Sequence, residues 1–320
     1  MISEEELLSI VPTPSIPPFF DGYWESTLTE LAATPIVWER AEEPDLPADG
    51  YDGYAIKMDA FEGISIYAWM AVPKGVTDPM PGYLWLPGYS LGNPPPGPES
   101  LYEGVVTMGV NIHGNTPDTP YVHPSKLRRD YITIGIESQR TYIFRTLVSN
   151  CVRAFEVLAE QPEVDANKMV VGGMSQGGGL ALIVASLLQD RVKLCFADMP
   201  WLCDLDRALS LIDWERYTGT NLPQDARHYI KALAERHPDE AEAIYKTYRY
   251  FDPLSHASRI ISPTQMSAGG RDPSCKPQTI YSVYNALTCD KEIQYLSDTG
   301  HEIVPAMHEA HANWLLSRLQ

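Results

Sequence analysis

Lys168-Met169-Val170-Val171-Gly172-Gly173-Met174-Ser175-Gln176-Gly177-Gly178-Gly179-Leu180 is the stretch on which the fold turns. Lys168 to Val171 is a short strand-type run, Gln176 to Leu188 continues as an apolar helix, and Val192 to Ala197 is a second strand. Strand, helix and strand at this spacing form a βαβ unit and imply a parallel sheet. Gly173-Met174-Ser175-Gln176-Gly177, a G-x-S-x-G, falls at the joint between the first strand and the helix. There a serine is forced into a strained turn with its Oγ exposed. Only small residues two before and two after it avoid collision, which accounts for Gly173 and Gly177. Gly178 and Gly179 let the helix approach the sheet closely. The helix start points free N–H groups and the positive dipole end at the serine, where an oxyanion would form. The competing reading is a glycine-rich packing turn with an incidental serine.

Outward from this unit the alternation continues. Upstream, Tyr142, Phe144, Leu147, Cys151, Phe155 and Leu158 recur at helical steps within Gln139 to Gln161. Ala55 to Met58 and Ile64 to Val72 read as a hairpin around Gly63, and Tyr83 to Leu86 and Val105 to Ile112 as short buried strands. Downstream, Pro263 to Ala268 and Lys291 to Leu296 are strands, and Gln278 to Leu287 and Ile303 to Leu319 are helices. The polar, helical stretch of about 201–255 interrupts the alternation and reads as a cap. Residues 1–48 read as an N-terminal arm with helical pieces at Ser3 to Ile10 and Asp21 to Ala33, and 49–320 as one α/β domain. Its central sheet is mostly parallel and flanked by helices.

Asp and Glu number 42 against 24 Lys and Arg, a net charge of 24 − 42 = −18. That balance argues against nucleic acid or an anionic membrane as partner. The longest apolar stretch, Gly177 to Leu188, is too short to span a bilayer. The start Met1-Ile2-Ser3-Glu4-Glu5-Glu6 lacks the basic segment and apolar run of a secretory signal, so the expected compartment is the cytoplasm. Cys151, Cys195, Cys203, Cys275 and Cys289 are an odd set without metal-type spacing, expected to be reduced and mostly buried. Of 27 prolines, 18 lie within the first 124 residues, which marks stiff, irregular connections there.

A serine elbow demands an acid after a later strand and a histidine after the last one. Asp272 follows its strand through Gly269-Gly270-Arg271, and His301 follows its own through Asp298-Thr299-Gly300. His301 would take the Ser175 proton, and Asp272 would fix the imidazole tautomer and stabilise the imidazolium. Competing acids are Asp198, Asp204, Asp206 and the neighbouring Glu302; ordering and loop placement favour Asp272 over Asp198. The N–H groups of Gln176 and of Tyr89, in Pro87-Gly88-Tyr89-Ser90, would form the oxyanion hole. The Tyr89 ring is a candidate wall for the acyl pocket. Trp201, where the cap begins, is a candidate sugar platform, with core packing as the alternative for both rings.

Gly173-Met174-Ser175-Gln176-Gly177-Gly178, Asp198-Met199-Pro200-Trp201-Leu202-Cys203-Asp204 and Gly300-His301-Glu302 together resemble the acetyl xylan esterase/cephalosporin-C deacetylase family, carbohydrate esterase family seven. The likeness extends to Phe20-Asp21-Gly22-Tyr23-Trp24, Pro87-Gly88-Tyr89 and Pro162-Glu163-Val164-Asp165. The resemblance implies an α/β-hydrolase fold, removal of short acyl groups, chiefly acetyl, from sugars and related alcohols, no metal or organic cofactor, and a homo-oligomer, often a hexamer. Two motifs depart. His113-Gly114-Asn115 stands where the family typically has Arg-Gly-Gln, and Pro87-Gly88-Tyr89 where it has His-Gly-Tyr.

The leading expectation is therefore a serine esterase working through an acyl-enzyme on a small acylated substrate. A deacylase of a non-carbohydrate ester (antibiotic or plant-polymer) is the alternative. A peptidase or amidase ranks lower because no propeller domain fits in this length. A non-catalytic scaffold ranks last, because it would be free to lose the serine, acid or histidine.

Overall fold

Residues 2–43, 45, 49–75, 77–89, 92–93, 101–113, 130–211 and 226–319 are described by a computed structural model. The chain opens with α1 (Glu4–Leu8) and α2 (Phe20–Ala32), then the strands β1 (Trp38–Glu42), β2 (Tyr51–Asp59), β3 (Ser65–Pro73), β4 (Met80–Leu86) and β5 (Val106–Asn111). There follow α3 (Ile143–Ala159), β6 (Val164–Met174), α4 (Gln176–Leu188) and β7 (Leu194–Asp198). Four helices come next: α5 (Leu205–Leu211), α6 (Arg227–Arg236), α7 (Ala241–Arg249) and α8 (Pro253–His256). The chain ends with β8 (Thr264–Gly269), α9 (Pro277–Ala286), β9 (Lys291–Leu296) and α10 (Pro305–Leu319).

Among the described residues the strands form one sheet in the order β1-β2-β3-β5-β4-β6-β7-β8-β9. The β1, β2, β3 and β5 pairings are antiparallel, and every pairing from β5–β4 to β8–β9 is parallel. This is the mostly parallel α/β sheet read from the βαβ unit. Within the stretch read as an arm, Trp38–Glu42 forms the edge strand β1, paired only with β2. The stretch of about 201–255 contains α5 to α8 among its described residues. Gly114, Asn115 and the prolines at 94, 95, 96 and 98 lie outside the described residues.

The two-residue period of the strands sorts side chains onto the two faces. Met169 and Val171 of β6 join the cluster under α3 and α4, while Val170 joins Phe196, Trp314 and Leu315 under α10. α4 is almost wholly enclosed: of its residues only Leu187 escapes burial, because α3, α8 and the sheet surround it. Its glycines set the distance. A Cβ on Gly177 would lie 2.1 Å from the Leu86 carbonyl oxygen at the end of β4, and one on Gly173 would meet the Gly177 backbone at 2.6 Å. Both obstacles are backbone and cannot swing away.

His256 fastens α8 and α2 to α4. Its Nε2–H donates to the Tyr250 carbonyl (3.0 Å), its Nδ1 faces the Ser186 hydroxyl (2.6 Å), and Phe20 and Trp24 stand edge-on to the ring. Burial drives its pKa down to about 3, so the folded ring stays neutral.

Two predictions follow from this packing. Gly177→Ala should cost roughly 3 kcal/mol, whereas Gly22→Ala in α2, where nothing lies within 4 Å of the new methyl, should add roughly 0.5–1 kcal/mol. Urea unfolding of the two variants measures both signs. For His256, the unfolded chain takes up a proton near pH 6.5 while the fold resists until about pH 3. The stabilisation from the neutral ring is thus complete above pH 6.5 and is lost as pH falls toward 3. Between pH 7 and 5 the wild type should lose about 2 kcal/mol that His256→Gln does not lose, read from urea midpoints at the two pH values.

Candidate active site

The parallel strands β4, β6, β7, β8 and β9 all end on one edge, and the expected site residues leave it there: Tyr89 after β4, Ser175 and Gln176 after β6, Trp201 after β7, Asp272 after β8 and His301 after β9. Ser175 joins β6 to α4 with φ 59° and ψ −121°, a left-handed backbone that a non-glycine residue adopts only under constraint. The constraint is visible in hydrogen bonds. The Ser175 N–H donates to the Asp198 carbonyl (2.9 Å), and its own carbonyl accepts from Trp201 (2.8 Å) and Gly179 (3.1 Å).

Asp272 and His301 meet across two loops. His301 Nδ1–H donates to Asp272 Oδ2 at 2.6 Å, and Asp272 Oδ1 accepts the N–H groups of Ser274 and Cys275, both at 2.8 Å. The carboxylate is therefore oriented before it meets the imidazole. The loops touch backbone to backbone: Gly270 N–H reaches the Leu296 carbonyl (2.9 Å) and Arg271 N–H that of Thr299 (3.0 Å). A Cβ on Gly269 would sit 2.5 Å from the Gly300 oxygen, which explains a glycine there. With Nδ1 engaged by the carboxylate, Nε2 is the ring nitrogen that would serve as a base.

The competing acids are engaged elsewhere. Asp198 is buried, accepts the Ser267 hydroxyl (2.8 Å) and lies 3.4 Å from His311 Nε2, whose Nδ1 faces the Tyr102 hydroxyl at 3.0 Å. Asp204 pairs with Arg207 and Asp206 with Arg249. Glu302 accepts a long bond from Gly300 N–H (3.3 Å) and is exposed.

Tyr89 follows β4, whose Leu86 is in register with Gly173 of β6, so its loop abuts the first turn of α4. Its ring is half-buried, stacks on Tyr131 (4.4 Å between centroids) and takes Trp201 edge-on at 4.9 Å. Trp201 is only 2% exposed, so its ring is part of the packing behind Tyr89. Gln176 is fully buried; its Oε1 accepts the Tyr131 hydroxyl at 2.6 Å, while its Nε2 has no hydrogen-bond partner among the described residues. His113, the first residue of the departing motif, stands edge-on to Tyr131 at 5.5 Å.

Sequence reasoning missed two residues here. Tyr131 carries no motif: it sits on a short 3-10 turn beyond the proline-rich segment. Arg227 of α6 is fully buried and donates to the carbonyls of Cys203 (2.8 Å) and Ser274 (3.5 Å), linking the turn after β7 to the turn holding Asp272. Contacts to backbone carbonyls leave no spacing signature in a sequence.

With this geometry in hand, the relatives are informative. The sequence pattern of the acetyl xylan esterase (AXE1) family matches residues 2–318. This chain belongs to the acetyl xylan esterase family. It is a carboxylic ester hydrolase with an α/β-hydrolase fold. It is 27% identical over 318 residues to the acetyl esterase Axe7A of Xylanibacter ruminicola, covering 97% of this chain and 69% of that protein. The acetyl xylan esterase from Paenibacillus sp. R4 superposes with a TM-score of 0.84 at 26% identity, covering 99% of this chain and 100% of that one. The acetyl xylan esterase 1 from Thermoanaerobacterium sp. JW/SL YS485 shares the fold, with a TM-score of 0.80 at 24% identity over 100% of this chain and 99% of that one. No helix among the described residues is long and apolar enough to cross a membrane.

The two acids separate by experiment. Asp272→Asn should lower kcat for p-nitrophenyl acetate by about 10⁴, the effect of a wrong tautomer. Asp198→Asn should keep kcat within roughly tenfold while lowering stability by about 1–3 kcal/mol. The reverse ranking would move the acid role to Asp198.

Proposed function

We propose that this esterase removes short acyl groups, chiefly acetyl, from carbohydrates or related small alcohols through a covalent acyl-serine. The observation that carries the reading is the elbow serine on the same sheet edge as a histidine whose Nδ1 is held by a buried, pre-oriented aspartate. Ser175 Oγ attacks the ester carbonyl as His301 Nε2 takes its proton. The oxyanion is held by the N–H groups of Tyr89 and Gln176, the latter at the positive end of α4. Collapse expels the alcohol, which leaves with the proton from His301. Water, deprotonated by the same imidazole, then releases the acid and restores Ser175.

The substrate class is supported by family membership and by relatives described as acetyl and acetyl xylan esterases. The enclosing Tyr89, Tyr131 and Trp201 rings support a small acyl pocket. The alternative alcohol class, a non-carbohydrate ester, is favoured by one feature: His113 packs against the ring that holds Gln176, in place of the family's usual arginine.

Ser175→Ala should reduce hydrolysis of p-nitrophenyl acetate to background. Wild-type kcat/KM should fall at least about 100-fold from acetyl to butyryl esters, the discrimination two extra methylenes can produce in a closed pocket. Persistent turnover in Ser175→Ala would remove the nucleophile, and a flat acyl profile would remove the small pocket. Acetylated xylo-oligosaccharides assayed beside cephalosporin C and aryl acetates decide the alcohol class.

A further inference from the structure

One side chain beside the proposed triad, Cys275, has no part in ester hydrolysis as described above. Cys275 is fully buried, lies three residues beyond Asp272 in the turn before α9, and donates its backbone N–H to the Asp272 carboxylate. One ligand atom each from Asp272, Cys275 and His301 lie within 4.8 Å of one another. Sulfur, nitrogen and oxygen converge here from two loops, the mixed donor set that zinc accepts.

We propose that Asp272, Cys275 and His301 form an inhibitory site for a thiophilic divalent cation of the Zn²⁺ type. Zinc takes sulfur at about 2.3 Å and nitrogen or oxygen at about 2.0–2.2 Å, so tetrahedral ligands stand about 3.3–3.7 Å apart. The present donors reach that spacing by side-chain rotation: the Asp272–His301 contact, now 2.6 Å, opens slightly, and the thiol closes in. Water fills the fourth position. Asp272 arrives already oriented, its Oδ1 held by two backbone N–H groups, which is the outer support that metal ligands need. The thiol yields its proton to solvent on binding, so one thiolate and one carboxylate neutralise the dication, and no net charge is buried. Entry is through the His301 side chain, which is 24% exposed while that of Asp272 is closed.

The cation is incompatible with the base role given to His301 above, and this consequence rests on that reading. If Nδ1 binds the metal, the imidazole proton sits on Nε2, and no lone pair remains to accept the serine proton. If Nε2 binds it, that lone pair is occupied. The sequence did not disclose the site because its ligands are one Asp-x-x-Cys pair and a histidine from a separate loop, not a cysteine pattern.

The test uses the full chain loaded with one equivalent of Co²⁺ or Zn²⁺. Co²⁺ should produce a near-ultraviolet thiolate-to-metal charge-transfer band, absent from Cys275→Ser. Zinc-edge X-ray absorption of wild type should show one sulfur at about 2.3 Å with lighter atoms at about 2.0–2.2 Å. Micromolar Zn²⁺ should inhibit p-nitrophenyl acetate hydrolysis reversibly with EDTA, and Cys275→Ser, keeping basal turnover, should need at least roughly tenfold more metal. A sulfur-free shell on wild type overturns the site whether or not the variant folds, and so does a band or inhibition unchanged in a folded Cys275→Ser. The band and the absorption spectrum are independent of turnover. A thiolate-ligated metal without inhibition would therefore leave the site standing and instead count against His301 as the base.

Discussion

The left-handed backbone of Ser175 is the constraint from which the rest of the site follows. A non-glycine residue so placed costs about 1–3 kcal/mol, and it persists only where surrounding bonds leave no other choice. Here both peptide groups of the serine are tied to the exit of β7, through the Asp198 carbonyl and the Trp201 N–H. The same exit is itself bent: Met199, Leu202 and Asp204 have positive φ. Asp198 then has a structural task, since its carboxylate holds Ser267, and Ser267 accepts the Met199 N–H at 3.1 Å. A carboxylate so committed beneath the elbow is a poor candidate for orienting a mobile imidazole.

The remaining loops are locked to this edge by groups from outside it. Asp252, fully buried before α8, accepts the N–H groups of Asp204, Leu205 and Leu254 at 2.7–2.9 Å, and burial pushes its pKa up to about 7. Tyr248 reaches the Leu202 carbonyl at 3.0 Å. Arg227 bridges from this turn to that of Asp272. A buried guanidinium keeps its charge, so its cost must be offset by acceptors, and carbonyls fixed on two separate loops are suited to that. The helices α6 to α8 therefore bear on the spacing between serine and acid, although none of their side chains has a role in the proposed chemistry.

Much of this was legible because the chemistry is punctuated. Gly173 and Gly177 mark the ends of a strand and the start of a helix, so α4 begins at Gln176 as read, and β9 spans Lys291 to Leu296 as read. The order of serine, acid and histidine then needed only strand ends. The strand β1 was not legible. Trp38-Glu39-Arg40-Ala41-Glu42 is polar on both faces because it lies on the sheet edge, and Arg40 is used there to pair with Glu163 at 2.7 Å and to cover the Tyr54 ring. Edge strands are commonly charged for this reason, and the pattern reads as loop. Tyr131 and Arg227 were hidden because stacking and carbonyl contacts can be made by an aromatic or an arginine at almost any sequence position.

The departing motif is best understood through Tyr131. Gln176 opens α4, where its backbone N–H is the proposed oxyanion donor, and its side chain cannot rotate freely because Tyr131 holds its oxygen. Tyr131 in turn is enclosed by Tyr89 on one face and by Phe144 at 6.4 Å, with His113 at its edge and Asn111 Oδ1 3.2 Å from the His113 ring. An imidazole at this position supports the column through an aromatic edge. A guanidinium would bring a permanent charge and a five-donor fork needing acceptors. The change from arginine to histidine is thus compatible with the Asp272–His301 geometry because it acts two contacts away, through Tyr131, on the residue that bears the proposed oxyanion donor. Divergence within this architecture can then alter how tightly the start of α4 is held, and with it the fit of the acyl group, without disturbing the Asp272–His301 hydrogen bond.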